Sequence, residues 1–178
     1  MIEYEKKYHL RDKDALVAKL EELGFEQANQ SSQKDVYYTR ADVDYMKTKE
    51  CLRIRTDDNG SELTYKPPTD KKMQESQAIW KEETNLDVDP IAAAQLLDGI
   101  GCSELCTVDK SRTSYKKDRV TVAVDHVVDA GDFVEIEILS ETQEELLEQI
   151  DSTAEELGVA DDDIVTLPYR DLVMGYAE

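Results

Sequence analysis

The sequence predicts an α+β fold in which eight antiparallel strands close into a barrel, or tunnel, with a charged lumen and helices packed outside. Three observations support this fold class. Segments with the alternating pattern of β-strands recur along the 178 residues and are joined mainly by short connections. The polar faces of these segments carry charges of both signs. Three amphipathic helical segments require an apolar surface to cover, and the apolar faces of the strands provide one.

The strands are predicted from the alternation of side chains between two faces. The segments that show this alternation, or that are rich in β-branched and aromatic residues, are residues 2–8, 33–38, 52–55, 63–66, 79–88, 110–115, 119–128 and 133–139. Asp57-Asp58-Asn59-Gly60 predicts a hairpin between the third and fourth strands. Pro67-Pro68 ends the fourth strand, because proline donates no hydrogen bond to a ladder.

Three main helices are predicted from capping residues and apolar spacing. The first begins after Asp12 and ends at Gly24, where a C-terminal glycine is favoured. The second begins at Asp89-Pro90. The third begins with a capping box at Ser140 and ends at Gly158. Their predicted inward positions are Leu16, Leu20 and Leu23, then Ile91, Ala94 and Leu97, and finally Leu146, Ile150 and Leu157.

The charged faces of the strands could be solvated or could line the inside of a barrel. A half-buried sheet normally turns its polar face to water. If the helices cover the apolar face, however, closure of the sheet places the polar face in the lumen. A solvated face of a protein with net charge -20 should be mostly acidic, whereas this face is balanced. Its acids are Glu3, Glu5, Glu83, Asp125, Glu135 and Glu137. Its bases are Lys7, Arg53, Arg55, Lys66, Lys81, Lys110 and Arg112. The balance favours a charged lumen.

Length and composition suit a single soluble domain that spans residues 1–178. The net charge of -20 makes nucleic acids and anionic membranes poor partners for the outer surface. No segment reaches the ~20 apolar residues of a membrane helix, and no apolar run follows Glu3 as in a signal peptide, so a cytoplasmic location is predicted. Cys102 and Cys106 do not have the spacing of zinc ligands.

A lumen of this kind predicts a particular chemistry. Arginine binds phosphate groups through two parallel hydrogen bonds, and lysine binds them as a point charge. Clustered carboxylates hold Mg²⁺ or Mn²⁺, which prefer oxygen ligands and also bind phosphate oxygens. The two sets together predict a site for a metal-complexed polyphosphate.

The residues that carry these charges also resemble a known family. Glu3-Tyr4-Glu5-Lys6-Lys7 is similar to the Glu-x-Glu-x-Lys signature of the CYTH superfamily, the triphosphate tunnel metalloenzymes. The blocks that follow in the family's order are Gln33-x-Asp35-x-Tyr37-Tyr38, Leu52-Arg53-Ile54-Arg55, Leu63-Thr64-Tyr65-Lys66-x-Pro68, Lys110-x-Arg112, and Asp125 through Gly131-x-Phe133-x-Glu135-x-Glu137. The Asp-x-Tyr-Tyr and Thr-Tyr-Lys-x-Pro blocks are most similar to the class IV adenylyl cyclase branch.

The resemblance implies roles for the charged residues of an eight-stranded antiparallel tunnel. Divalent metal, Mg²⁺ or Mn²⁺, is expected on Glu3, Glu5, Asp125, Glu135 and Glu137. The triphosphate is expected on Arg53, Arg55, Lys66, Lys81, Lys110 and Arg112. The residues expected to act in the reaction itself are Lys7, Glu83 and Lys110. The sequence departs from the family at Ala130 and Pro168, where leucine and serine are usual.

The resemblance also implies a small-molecule triphosphate as the partner. A class IV adenylyl cyclase converts ATP to cyclic AMP and pyrophosphate. The alternative is a triphosphatase that hydrolyses inorganic triphosphate, thiamine triphosphate or a nucleoside triphosphate. A non-catalytic polyphosphate-binding module is a third interpretation, but it would need only the bases and not the acids. The oligomeric state, monomer or homodimer, is left open.

Overall fold

The computed structural model describes residues 2–68, 84–140 and 143–176. The described strands are β1 (Ile2–His9), β2 (Glu26–Arg40), β3 (Cys51–Asp57), β4 (Gly60–Lys66), β5 (Thr84–Asp87), β6 (Cys102–Lys117), β7 (Val120–Val127) and β8 (Gly131–Ser140). The described helices are α1 (Lys13–Glu22), α2 (Tyr45–Thr48), α3 (Pro90–Gly99), α4 (Gln143–Leu157) and α5 (Tyr169–Val173), with a 3₁₀ turn at Asp161–Asp163. None of these helices is long and apolar enough to cross a membrane.

The strands form one eight-stranded sheet in the order β1-β8-β7-β6-β2-β3-β4-β5. Every ladder in it is antiparallel. The predicted eight-stranded antiparallel α+β fold is therefore confirmed. Among the described residues the sheet begins at β1 and ends at β5 without a ladder between those two strands, so hydrogen bonding does not show a closed barrel. Residues 79–83 of the predicted fifth strand lie outside the described part of the chain.

The register of the sheet brings the predicted charges next to one another. Glu5 of β1 lies opposite Glu137 of β8, and Lys7 lies opposite Glu135. In the other half of the sheet, β2 and β3 pair at Asp35 and Arg55. Side chains alternate along each strand, so these pairs share one face of the sheet. The other face is left to the core.

Two clusters of the core lie on the outer, apolar face of the sheet, and a third, which contains Tyr37, Phe133 and Tyr169, lies on the cavity face. In the largest, α1 and α4 cover β1, β7 and β8, and the fully buried residues include Leu20, Val122, Ile136, Ile138 and Ile150. A second cluster lies under α3, where Ala93 and Leu97 pack on Leu52 and Ile54 of β3. The predicted arrangement, with helices outside a sheet whose inner face is polar, agrees with these two outer clusters, whereas α5 lies against the cavity face.

The orientation predicted for one residue of α3 is wrong. Ile91 was expected to point inward, but 69% of its surface is exposed. Ile91 precedes the buried Leu97 by six positions, which is about 240° around a helix axis, whereas Ala93 precedes it by four and shares its face. The start of the helix is as predicted, because the Asp89 side chain accepts a hydrogen bond from the backbone N–H of Ala92. Only the choice of the inward face was in error.

The other helix ends also follow the sequence signals where they are described. The Asp12 side chain accepts from the N–H of Ala15 and so caps α1, and Gly24 has a φ of 80°, which favours glycine. Helix α4 ends at Leu157, next to the predicted Gly158. Residues 141–142, in the middle of the predicted capping box at Ser140, lie outside the described part of the chain.

Candidate active site

The polar face of the sheet surrounds a cavity of about 250 Å³. Eight lysine and arginine residues and five acidic residues line it, contributed by β1, β2, β3, β4, β6, β8, the segment that precedes β3, and the segment around α5. The chain as a whole carries net charge -20. The cavity is therefore a positively charged interior in a strongly acidic protein, and such an interior attracts anions.

Three carboxylates meet at one side of this cavity. Glu5 comes from β1, and Glu135 and Glu137 come from β8. One oxygen of each lies within 4.8 Å of the others, so a single ion could contact all three. This donor set of hard oxygen ligands fits Mg²⁺ or Mn²⁺. Glu3 is on the same face of β1, but its side chain lies outside the described part of the structure.

The three carboxylates do not have equal proton affinities. Burial and the neighbouring charge of Glu135 raise the pKa of Glu5 above its ordinary value. Burial acts on Glu135 in the same direction, but the charges of Arg112, Lys110 and Lys7 outweigh it and hold the pKa of Glu135 below its usual range. The pKa values of the two carboxyl groups are therefore displaced in opposite directions.

Arg112 connects the carboxylates to a second buried acid. Its Nε and Nη2 donate to the two carboxylate oxygens of Asp125 at 2.7 and 2.6 Å, which is the bidentate geometry of a strong ion pair. Arg112 also pairs with Glu135, and its Nη1 lies 3.7 Å from Glu137. Asp125 lies beyond this guanidinium and is not one of the three clustered carboxylates. Its role as a metal ligand stays a prediction.

The opposite side of the cavity is basic. Arg55 donates through Nε and Nη2 to the two oxygens of Asp35, both at 2.7 Å, and Arg53 Nη1 lies 3.4 Å from the same carboxylate. Burial would raise the pKa of Asp35, but the hydrogen bond from Arg55 and the charges of Arg53, Arg55 and Lys110 lower it. Arg53 Nε is buried and finds no acceptor among the described residues. Lys66 of β4 lines the same side.

Two lysines lie between these walls, around a tyrosine of α5. The Nζ atoms of Lys7 and Lys110 lie 4.4 and 5.1 Å from the ring centroid of Tyr169. Lys7 Nζ also donates to the Leu167 carbonyl at 2.6 Å. Lys110 is buried, and burial together with the charge of Arg112 lowers its pKa to about 8. Glu83 and Lys81, also predicted for the site, lie outside the described residues.

The segment around α5 closes one side of the cavity and was not predicted to belong to the site. Arg170 is 2% exposed, and it donates to the Glu50 carbonyl at 2.7 Å and to Asp171 at 2.8 Å. Asp171 also pairs with Lys49 at 3.2 Å. Pro168 precedes the helix with a φ of -60° and offers no side-chain cap.

Comparison with known proteins places these residues in a family. The sequence matches the CYTH domain over residues 1–169. It is 31% identical over 176 residues to a protein of Methanocaldococcus jannaschii named "Putative adenylate cyclase", covering 97% of this chain and 98% of that one. The chain therefore belongs to the CYTH family, and the resemblance predicted from the sequence is confirmed.

Solved structures support the fold assignment. The PH1012 protein of Pyrococcus horikoshii superposes with a TM-score of 0.83 at 29% identity, covering 96% of this chain and 99% of that one. A Hippeastrum protein, described as a "putative adenylyl cyclase" that reveals a dominant triphosphatase activity, superposes with a TM-score of 0.65 at 18% identity. That superposition covers 89% of each chain, and at this identity the likeness concerns the fold alone.

Proposed function

We propose that this chain is a divalent-metal-dependent enzyme that acts on the triphosphate of a small molecule bound in the cavity. The observation that carries the proposal is the arrangement of charge in a single space. Three carboxylates cluster at one side of the cavity, and eight lysines and arginines line the same space. A binding module for polyphosphate would need the bases and would gain nothing from carboxylates placed so close to the anion.

In this proposal the acidic residues would hold the metal ion and the basic residues would bind the phosphate chain. Glu5, Glu135 and Glu137 would hold Mg²⁺ or Mn²⁺, with Glu3 and Asp125 as further predicted ligands. When bound, the ion supplies positive charge to the phosphate oxygens. The residues that bind and orient the phosphate chain are Arg53, Arg55, Lys66, Lys81, Lys110 and Arg112. Arg53 Nε, a buried donor without an acceptor among the described residues, is the clearest group that a phosphate oxygen would satisfy.

For the reaction, we propose a cyclase of the class IV adenylyl type. The ribose 3′ oxygen of ATP forms a bond to the α-phosphorus, the bond from that phosphorus to the β-phosphate oxygen breaks, and pyrophosphate leaves. The 3′ proton is released in the same reaction. Lys7 and Lys110 neutralise charge that develops on the phosphate oxygens, with Glu83 as the third predicted participant. The support is the 31% identity to a relative that carries an adenylate cyclase name.

A triphosphatase is the second candidate, and one feature of the cavity favours it. Thirteen of the seventeen residues that line the described cavity are charged. Such a lining recognises a chain of phosphates and offers few groups to a nucleobase. In that reaction a water oxygen forms a bond to the terminal phosphorus, and the bond from that phosphorus to the bridging oxygen breaks. Orthophosphate and the diphosphate product leave, and the water proton is released, while the same side chains bind the same anion.

The proposal extends to the closure of the sheet, the number of domains and the cellular location of the protein. Lys7 of β1 and Lys66 of β4 line one cavity although they lie toward opposite ends of the sheet order, which supports closure of the sheet into a tunnel. The match over residues 1–169 supports a single domain over residues 1–178. A cytoplasmic location stays a prediction from the sequence.

Product analysis tests the proposal and separates the two reactions. The protein is incubated with ATP, inorganic triphosphate or thiamine triphosphate, each with Mg²⁺ or Mn²⁺, and the products are resolved by chromatography. Cyclic AMP and pyrophosphate from ATP support the cyclase. Orthophosphate from inorganic or thiamine triphosphate, without cyclic AMP from ATP, supports the triphosphatase. The absence of turnover with every substrate and both metals contradicts the proposal.

A further inference from the structure

Tyr169 contacts several residues of the candidate site through its hydroxyl group and through the face of its ring. It is 7% exposed and lies at the first position of α5. Its hydroxyl donates to Asp125 Oδ2 at 2.8 Å, and this carboxylate holds Arg112 through two hydrogen bonds. The orientation of the Arg112 guanidinium therefore depends on a carboxylate that Tyr169 helps to hold.

The ring of Tyr169 contacts the two lysines predicted to act in the reaction. Lys7 Nζ lies 4.4 Å from the ring centroid and Lys110 Nζ lies 5.1 Å from it. Both lysines are buried, where attraction between an ammonium group and an aromatic ring is stronger than at the surface. Phe133 packs against the ring at 5.1 Å with a 60° tilt, so the ring itself is fixed.

The hydroxyl and Lys110 also compete for the same atom. Lys110 Nζ lies 3.7 Å from Asp125 Oδ2, the oxygen that accepts from Tyr169. If the hydroxyl is removed, that oxygen loses a hydrogen bond and attracts the ammonium group more strongly. Lys110 would then be drawn toward Asp125 and away from an anion in the cavity.

From these contacts we infer that Tyr169 is a positioning residue for the groups that bind the phosphate chain. It holds Lys7 and Lys110 directly, and it holds Arg112 through Asp125. This inference rests on the proposed function, since it names the residue that organises the cationic groups of that same site. It differs from a packing role because the ring contacts two lysines of the cavity and the hydroxyl contacts the carboxylate that holds Arg112.

Two substitutions separate the ring from the hydroxyl. Tyr169→Phe keeps the ring under the two lysines and removes the hydrogen bond to Asp125. Tyr169→Leu removes both. The Kd of inorganic triphosphate is measured by titration calorimetry in the presence of Mg²⁺. Tyr169→Phe should raise this Kd by about three- to tenfold, and Tyr169→Leu should raise it by about ten- to a hundredfold.

The matched control is Tyr8→Phe. Tyr8 is also a buried tyrosine, but it lies in the core under α1 and α4, and its hydroxyl has no hydrogen-bond partner among the described residues. This variant should bind triphosphate with the Kd of the unsubstituted protein. If Tyr169 were only a packing residue, its variants would lower the melting temperature and the binding stoichiometry, but the Kd of the folded fraction would not change.

The outcomes are distinct. A graded rise in Kd from the unsubstituted protein through Tyr169→Phe to Tyr169→Leu supports the inference, and the Phe variant keeps the test usable if the Leu variant does not fold. An unchanged Kd in Tyr169→Phe and in the folded fraction of Tyr169→Leu overturns the inference while the proposed function stands. If the unsubstituted protein does not bind triphosphate at all, the proposed function fails, and the role of Tyr169 fails with it.

Discussion

The two sides of the cavity both hold clustered charges, but the charges are negative on one side and positive on the other. On the acidic wall, formed by β1 and β8, the carboxylates of Glu5, Glu135 and Glu137 cluster, and Arg112 of β6 pairs with Glu135 and lies 3.7 Å from Glu137. On the basic wall, formed by β2 and β3, the guanidiniums of Arg53 and Arg55 share one carboxylate. Each wall thus holds like charges close together beside groups of the opposite charge, which on the acidic wall also include Lys7 and Lys110.

The difference between the walls explains how one cavity could hold both a cation and a polyanion. Arg112 also pairs with Asp125, and Asp35 is one carboxylate between two guanidiniums, so neither wall is fully neutralised by its own ion pairs. Like charges that are buried without full pairing destabilise the folded protein. A ligand that supplies the missing charge removes this cost, so each wall should be stabilised by a different ligand.

The largest expected effect comes from weakening the acidic wall at Glu137. Glu137→Gln removes one negative ligand from the three-carboxylate cluster, and turnover should fall by about a thousandfold, or about 4 kcal/mol. The melting temperature without ligand should stay the same or rise, because repulsion among the carboxylates decreases. Steady-state kinetics at saturating Mg²⁺ measures the first effect, and calorimetry measures the second.

The control for this variant is Glu26→Gln, at an exposed position of β2. It changes the net charge by the same amount and should leave turnover unchanged. Near-normal turnover in Glu137→Gln would mean that the carboxylates only balance the charge of the cavity, and the metal site would have to be abandoned.

The next effect comes from removing the counter-charge of the basic wall. Asp35 is 2% exposed, and Asp35→Asn leaves two guanidiniums without a neutralising carboxylate. The free energy of unfolding should fall by about 2–4 kcal/mol, somewhat below the usual range for a broken buried pair because both arginines are partly exposed. Urea denaturation without ligand measures it.

Asp42→Asn is the matched control, because Asp42 also pairs with an arginine but is 78% exposed. Its effect should stay within about 0.5 kcal/mol. Inorganic triphosphate should recover part of the stability that Asp35→Asn loses, since it supplies negative charge to the same arginines. A loss no greater than that of the control would show that the basic wall does not depend on Asp35.

A smaller effect is expected from removing one base of the basic wall. Arg55→Ala should weaken the binding of inorganic triphosphate by about 1.5–3 kcal/mol, the contribution of charge-assisted hydrogen bonds. Titration calorimetry compares it with Arg119→Ala, which removes an exposed arginine in the turn before β7. Equal affinities in the two variants would exclude Arg55 from the site.

The smallest effect concerns pH. The pKa of Asp35 is lowered in the folded protein, so its ion pairs contribute stability above the unfolded pKa of about 3.8, and this stability is lost as pH falls through the folded pKa. The difference in unfolding free energy between the unsubstituted protein and Asp35→Asn should therefore shrink as pH falls from about 5 to about 2. Urea titrations at several pH values give this difference directly. A difference that stays constant over this range would mean that the carboxylate is not paired.

The sequence predicted the walls well because alternation determines which side chains share a face. Glu5 and Lys7 are two positions apart on β1, and Glu135 and Glu137 are two positions apart on β8, so each pair had to lie on one side of the sheet. The clustering of both pairs then depended only on β1 and β8 being neighbours, which they are. The family resemblance had assigned the acids of both strands to one metal site, but it did not give the strand order.

Other features could not be predicted from local patterns. Strand β2 begins at Glu26 rather than at Gln33. Residues 26–30 are exposed and mostly polar, so their pattern does not indicate a strand, and they are held in it by their ladder with β6. The burial of Arg170 and Asp171 depends on contacts with Glu50 and Lys49, more than a hundred residues away. In the sequence, Asp35 stands out only as part of a family block. Its position between two arginines could not be predicted, because it follows from the β2–β3 register.

The central claim is that the two walls form one site for a metal-triphosphate complex, and thermal unfolding with ligands tests it most directly. At a hundredfold excess over Kd, a ligand that binds only the folded protein adds about 2.7 kcal/mol, which for a domain of this size raises the melting temperature by roughly 5–10 °C. We expect this rise with inorganic triphosphate or ATP, a larger one when Mg²⁺ is present with either, and almost none with AMP or sulfate. A melting temperature that does not respond to triphosphate, with or without Mg²⁺, would contradict the claim that the walls form a site at all.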